Sequence, residues 1–372
     1  MESSECIAGL DSGRGSLLVD NVQSLASKNL NSIPPRYIRE EAESDELLVD
    51  ESLQIPVIDM KQLVVGQAGY EQEMKKLHLA CKHWGFFQLI NHGVLDEIEK
   101  MKKVTEEFFK LPLEERMVCA QPPNCNEGYG QAFVLSEDQK LDWGDMLYLL
   151  PLPVSTRKMN LWPKTPSSFR PTLDEYSATL KELAIKLLSL MAENLKAEPQ
   201  KLTAMFHHDC SQGIRINYYP ACIQANKVLG IAPHSDGSTL TLLIQVNDDM
   251  HGLQIKKNQQ WVPIKPIPGA IIVNIGDIME IYSNGEYRSI EHRAVVNNEK
   301  ERISIAAFHN PNLDADIYPL PELVKDNQPM FRTVPSTNYL QKAGQARFEV
   351  TLEIGEKEKA EKSDSDIPLA IH

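Results

Sequence analysis

Six times between Thr239 and Phe308 the chain returns to a short run rich in Ile and Val, at 239–245, 253–255, 261–264, 270–275, 288–296 and 302–308. Gly, Asn and Pro separate the runs. Segments this short are poor helices, and β-branched residues favour extended backbone. This half is therefore predicted to be all-β, a sandwich or jelly roll. The first half reads differently. Met74, Leu77 and Cys81 share one face of a helix over 73–83, which Gly85 stops. Residues 86–91 read as a buried strand and 55–59 as a first strand. A second helix is expected over about 95–110, closed by Pro112. The stretch 122–153 reads as loop-rich. Tyr176, Leu180, Leu183, Leu187 and Met191 recur at helical intervals, which predicts a long helix over about 173–195. Thr172 and Glu175 suit a capping box at its start. Residues 1–50 read as a polar arm with one short helix at Val22 and Leu25 and a break at Pro34-Pro35.

Composition excludes several functions. The 372 residues carry 38 Lys plus Arg against 52 Asp plus Glu, a formal charge of −14. With 42% apolar and 24% charged residues, the composition is globular. A phosphate-backbone binder needs a basic face, and no Lys/Arg block exists, so no nucleic-acid partner is expected. No run approaches the roughly 18 apolar residues of a membrane span. Met1-Glu2-Ser3-Ser4-Glu5 lacks the charge and apolar stretch of a secretory signal. The 6 cysteines form no CxxC pair and read as free thiols, so a cytoplasmic protein is expected. Gly128-Tyr129-Gly130 lacks the third glycine of a dinucleotide loop.

The chemistry concentrates in three places. His234 and Asp236, two residues apart on extended chain, present both side chains on one face. His292 lies on another predicted strand. Two imidazoles and one carboxylate hold one face of an octahedron and leave the other open, which suits non-haem Fe(II). The spacing alone is a weak signal. The next element strengthens it: Arg302 and Ser304 alternate with Ile303 and Ile305, so they share the face opposite those isoleucines. An inward Arg is costly unless an anion meets it, and a guanidinium with a hydroxyl suits a carboxylate. The third place is the run from Arg215 to Pro220, with Asn217 and Tyr219.

On these residues the chain resembles the plant 2-oxoglutarate/Fe(II)-dependent dioxygenases over nearly its whole length. IPVID from Ile55 and WGFFQLINHGV from Trp84 resemble the leading domain of that family. HSDGSTLTLLIQ from His234, the run from Asn274 to Asn297 and ERISIAAF from Glu301 resemble its catalytic barrel. GYGQAF from Gly128 and SEDQKLDW from Ser136 resemble the subgroup of senescence-related dioxygenases, opiate O-demethylases and norcoclaurine-synthase-like proteins.

The resemblance implies an α+β fold with a mostly β core, a distorted double-stranded β-helix (jelly roll) flanked by helices. Residues 1–50 would be a partly flexible arm and 51–200 an N-terminal domain. The catalytic jelly roll would span 201–315, followed by a helical segment over 316–354 and a disordered tail over 355–372. It implies His234, Asp236 and His292 as iron ligands. Arg302 and Ser304, helped by Tyr219 and Asn217, would bind the distal carboxylate of 2-oxoglutarate. O2 would be the oxidant and ascorbate the reductant. Phe308, Arg215, Met146, Tyr148 and Phe133 would surround a small aromatic or polycyclic plant metabolite, an alkaloid, flavonoid or other phenolic. Hydroxylation or O-demethylation would release succinate and CO2, and a monomer suffices. The alternatives are an oxidase that does not use 2-oxoglutarate, and a non-oxidative condensation catalyst or binding protein on the same scaffold. His92 lies in a matched run, but as a structural residue.

Overall fold

Each of the six apolar runs supplies a strand in the computed structural model, which describes residues 16–28, 32–40, 42, 49–123, 125–131, 134, 136–247, 250–324, 328–337 and 339. The strands are β1 (Val57–Asp59), β2 (Phe86–Ile90), β3 (Gly128–Gly130), β4 (Asp145–Leu152), β5 (Cys210–Tyr219) and β6 (Ile231–His234). They continue with β7 (Leu240–Gln245), β8 (Leu253–Lys257), β9 (Gln260–Pro263), β10 (Ile271–Ile275), β11 (His292–Ala294) and β12 (Arg302–Asn312). Eight of them form one sheet in the order β1-β2-β10-β7-β12-β5-β4-β3, and four form a second, β6-β11-β8-β9. β1 runs parallel to β2, and the other pairs in both sheets are antiparallel. Phe86 and Ile272 of the large sheet pack with Leu253, Ile255 and Val262 of the small one. The sheets thus close face to face into a jelly roll.

Helices cover the outer face of the large sheet. They include α2 (Tyr70–His83), α3 (Leu95–Phe109), α4 (Phe169–Asn194) and α5 (Asp277–Tyr282), whereas the short α1 (Val22–Ser27) packs in a separate cluster with Trp143 and Tyr219. On α4, Leu173, Tyr176, Leu180, Leu183, Leu187 and Met191 are buried, as their spacing requires. They share a core with Ile303, Ile305 and Ala307, the outward residues of β12. The expected capping box does not form. The helix begins earlier, after Ser168, with Pro171 in the first turn, where its missing N–H is no loss. The Thr172 amide donates to the Ser168 carbonyl at 3.1 Å, and Glu175 instead pairs with Lys100 at 3.1 Å.

Three other differences bear on the site. The stretch 122–153, expected to be loop-rich, also holds β3 and the eight-residue β4. Period-two alternation is weak in β4 because most of its residues are buried on both faces. The run at 288–296 shortens to β11, because its first four residues lead in from α5. The arm does not simply extend. Val22, Leu25, Ile33 and Tyr37 bury against Trp143, Tyr219, Val228 and Val296. Asp145 of β4 accepts the amides of Val22 and Gln23, both at 2.8 Å, and so caps α1. Burial pushes the Asp145 carboxyl up to about 6, against those two amides.

The large sheet also crosses the expected division at residue 200, since β2 pairs with β10 and β4 with β5 across it. Of the segment 316–354, the described part holds a two-strand ladder, Asp316–Ile317 with Val334–Pro335, and the short helix Pro321–Val324. The tail at 355–372 lies outside the described residues. Among the described residues, no helix is long and apolar enough to cross a membrane.

Candidate metal and co-substrate site

Antiparallel pairing of β6 with β11 sets His234 directly opposite His292. Their ring centroids are 4.3 Å apart. Asp236 follows on the chain leaving β6, and its Oδ1 lies 3.7 Å from His234 Nε2 and 3.8 Å from His292 Nε2. One ligand atom from each of the three residues lies within 4.8 Å of the others. Each imidazole is oriented from behind: Nδ1 of His234 donates to the Ala232 carbonyl at 2.8 Å, and Nδ1 of His292 to the Ile290 carbonyl at 3.1 Å. That sets the tautomer and aims the Nε2 lone pairs toward Asp236 Oδ1. Asp236 Oδ2 accepts from Thr241 Oγ1 at 2.6 Å and Asn274 Nδ2 at 2.8 Å. Two imidazoles and a carboxylate on one side fit a ferrous ion with open positions on the other.

The chain that carries Asp236 rests on Gly276. A Cβ there would stand 2.0 Å from the Ser238 carbonyl oxygen and 2.9 Å from that of Asp236. With glycine in place, the amides of Asp277 and Ile278 donate to the carbonyls of Asp236 and Ser238 at 2.8 and 3.2 Å.

Register across the large sheet stacks its inner residues into rows. One row is Phe86, Asn274, Thr241, Phe308 and Gly213 on β2, β10, β7, β12 and β5. The next is Leu243, Ala306, Arg215 and Tyr148, and the third is Gln245, Ser304, Asn217 and Met146. Arg302 opposite Tyr219 closes the set. The first row lies beneath the candidate metal ligands, with Phe86 edge-on to His292 at 5.3 Å between centroids.

Arg302 is 3% exposed. Its Nε donates to Gln245 Oε1 at 3.1 Å, and its guanidinium lies 5.4 Å from the Tyr219 ring centroid. Among the described residues no carboxylate lies within ion-pair distance of it. Burial pulls this guanidinium below its ordinary pKa and pushes the Tyr219 phenol above its own. A buried cation without an acid is the complement of an anionic ligand. Ser304 and Asn217 stand beside it, linked at 3.4 Å.

A cavity of about 510 Å³ of empty space, partly open to solvent, joins these parts. His234, Asp236, His292, Arg302, Ser304, Tyr219, Asn217, Phe308 and Arg215 all line it. The remaining candidates fall elsewhere. Met146 lines a neighbouring cavity, which shares the wall of Arg215, Asn217 and Tyr219. Tyr148 lies over Gly213, where any Cβ would meet its hydroxyl at 2.5 Å. Phe133 lies outside the described residues. His92 donates from Nε2 to the Gly269 carbonyl at 2.8 Å, away from the site.

Sequence reasoning missed Thr241, Asn274, Gln245, Gly276 and Phe86. Asn274 had a readable signal, a lone amide in the run Ile271-Ile272-Val273-Asn274-Ile275. The others are ordinary strand or turn residues until the sheet pairs them.

The family model described as the 2OG-Fe(II) oxygenase superfamily matches residues 210–311. The model described as non-haem dioxygenase in morphine synthesis N-terminal matches 55–165. S-norcoclaurine synthase 1 of Coptis japonica is 52% identical over 328 residues, 88% of this chain and 92% of that one. Oxoglutarate-dependent flavonoid 7-O-demethylase 1 of Ocimum basilicum is 48% identical over 326 residues, 87% of each chain. A crystal structure of JOX2 in complex with 2OG, Fe and JA aligns with a TM-score of 0.78 at 36% identity, covering 87% of this chain and 93% of that one.

Proposed function

The chain belongs to the 2OG-Fe(II) oxygenase superfamily and is a 2-oxoglutarate-dependent dioxygenase, and on that premise we propose that it hydroxylates or O-demethylates a small aromatic or polycyclic plant metabolite. The observation that carries the residue assignment is the buried Arg302, which meets no carboxylate among the described residues and lines the same cavity as the His234, Asp236 and His292 cluster. In this reading those three residues hold the ferrous ion through Nε2, Oδ1 and Nε2. Arg302 and Ser304 take the distal carboxylate of 2-oxoglutarate, and Tyr219 and Asn217 line its path. When bound, iron and 2-oxoglutarate would supply the oxidising power, one oxygen atom of O2 ending in the succinate formed with CO2 and the other in the organic substrate.

The chain positions the reactants. Nδ1 hydrogen bonds to the Ala232 and Ile290 carbonyls turn Nε2 of both imidazoles toward the metal position. The Arg302 cation compensates the carboxylate charge in a site largely screened from water. Phe308, Phe86, Leu243 and Leu253 give the cavity an apolar wall on which a flat ring can lie. Phe308 and Arg215 are the residues we assign to the organic substrate. Met146, one cavity removed, and Tyr148, held over Gly213, act on it through their neighbours.

The test is incubation of purified protein with Fe(II), 2-oxoglutarate and ascorbate against methoxylated and unmethoxylated alkaloids and flavonoids. Substrate-dependent succinate, with gain of one oxygen or release of formaldehyde, is the expected result. One similar protein is a synthase by name, which favours a second reading, non-oxidative condensation on the same scaffold. Product formed without succinate or O2 uptake would replace the first reading with the second.

A further inference from the structure

Burying a side-chain amide in an apolar strand is unfavourable unless its hydrogen bonds are met. Asn274 interrupts an otherwise aliphatic β10 and is 2% exposed. Register sets it opposite Thr241 of β7. Both side chains donate to the same atom, Asp236 Oδ2, at 2.8 and 2.6 Å. The one hydroxyl proton of Thr241 is used there, so in the 3.0 Å contact between Ser238 and Thr241 the donor is Ser238. A relay from Ser238 through Thr241, joined by Asn274, thus ends on one carboxylate oxygen. The other oxygen, Oδ1, faces both histidine Nε2 atoms.

We propose that Asn274 and Thr241 are positioning residues for the metal: by engaging Oδ2 from two strands they fix the Asp236 carboxylate so that it meets a divalent ion through Oδ1 alone. The inference rests on His234, Asp236 and His292 being the ligands. Neither residue touches the ion. Their effect is to hold the carboxylate plane, which would otherwise rotate to chelate through both oxygens or turn away. Loss of such an outer partner lowers metal affinity roughly ten- to a hundredfold.

The experiment is Co(II) titration of the metal-free full-length protein, followed by visible absorption, with far-UV circular dichroism to show that each variant is folded. Thr241→Val removes the hydroxyl at constant shape, and Thr241→Ser restores it. Asn274→Ala removes the amide, and Asn274→Ser is the substitute if that variant fails to fold. The expected result is weaker Co(II) binding by about ten- to a hundredfold in Thr241→Val and in the Asn274 variant, with an altered Co(II) spectrum and near-normal affinity in Thr241→Ser. Unchanged affinity in the folded variants overturns the proposal, and so does a Thr241→Ser variant as weak as Thr241→Val. His234→Ala and Asp236→Ala separate the two levels. If they abolish Co(II) binding while the outer variants do not, only the positioning role fails. If they too leave it unchanged, the ligand assignment itself fails.

Discussion

The side chain on which the co-substrate reading turns is Arg302. Its guanidinium is buried with no acidic neighbour among the described residues, so an incoming carboxylate would complete an ion pair whose protein half is already desolvated. Breaking a buried pair of this kind costs about 3–5 kcal/mol. Arg302→Ala is therefore expected to raise the KM for 2-oxoglutarate by more than about a hundredfold, as measured by succinate formation at saturating organic substrate. Gly252 offers a gentler perturbation of the same group. A Cβ there would stand 2.5 Å from Arg302 Cδ and 3.0 Å from the Val295 carbonyl oxygen. Gly252→Ala should raise the same KM by a smaller factor, since Arg302 can shift but not stay. Phe308→Ala should weaken binding of the organic substrate far more than that of 2-oxoglutarate. Paired titrations of the two ligands check this, and a larger change for 2-oxoglutarate would remove Phe308 from the substrate wall.

At the scale of the element, β12 shows how one strand serves two purposes. Its odd-numbered residues from Ile303 to Ala307 face the core under α4, and its even-numbered residues from Arg302 to Phe308 face the cavity. This division was readable in advance, because alternation is a property of the strand alone. The strand β4 was not readable, because a strand covered on both faces loses its alternation. The α4 start was misplaced for a related reason: Thr172 and Glu175 match a capping pattern, yet packing of Phe169 against the core carries the helix a turn further back. Since α4 supports the sheet from outside, its core contacts should set stability without setting chemistry. Leu180 is fully buried. Leu180→Ala is expected to destabilise the fold by about 2–5 kcal/mol, seen as a lower urea midpoint, while the KM for 2-oxoglutarate in the folded enzyme stays unchanged.

The whole molecule responds to pH through groups that folding removes from water. His309 is buried on the outer side of β12, and its Nε2 has no hydrogen-bond partner among the described residues. Burial pushes its imidazole down to about 3, from 6.5 in the open chain. Between those values the unfolded state binds the extra proton and the folded state does not. Stability therefore falls as pH drops through this window, by about 2 kcal/mol from this residue between pH 7 and 5. His309→Leu should lose less stability than the parent over that interval. Urea unfolding at the two pH values measures the difference, and equal losses would contradict it. The arm belongs to this scale as well. Residues that read as polar and loosely attached bury Val22, Leu25, Ile33 and Tyr37 against the sheet that carries Tyr219.

The sequence by itself determined the strand-rich second half, the amphipathic helices and the three side chains proposed to hold the metal. It also determined which face of β12 carries charge. All of these follow from local periodicity or from residue types whose chemistry is intrinsic. Tertiary structure alone decided that His234 stands opposite His292, that Asn274 and Thr241 meet on one oxygen of Asp236, and that Gly276 lets the ligand-bearing chain lie against α5. Those facts depend on the pairing of strands distant along the chain, and register between remote segments is set by closure of the whole sheet rather than by any one segment.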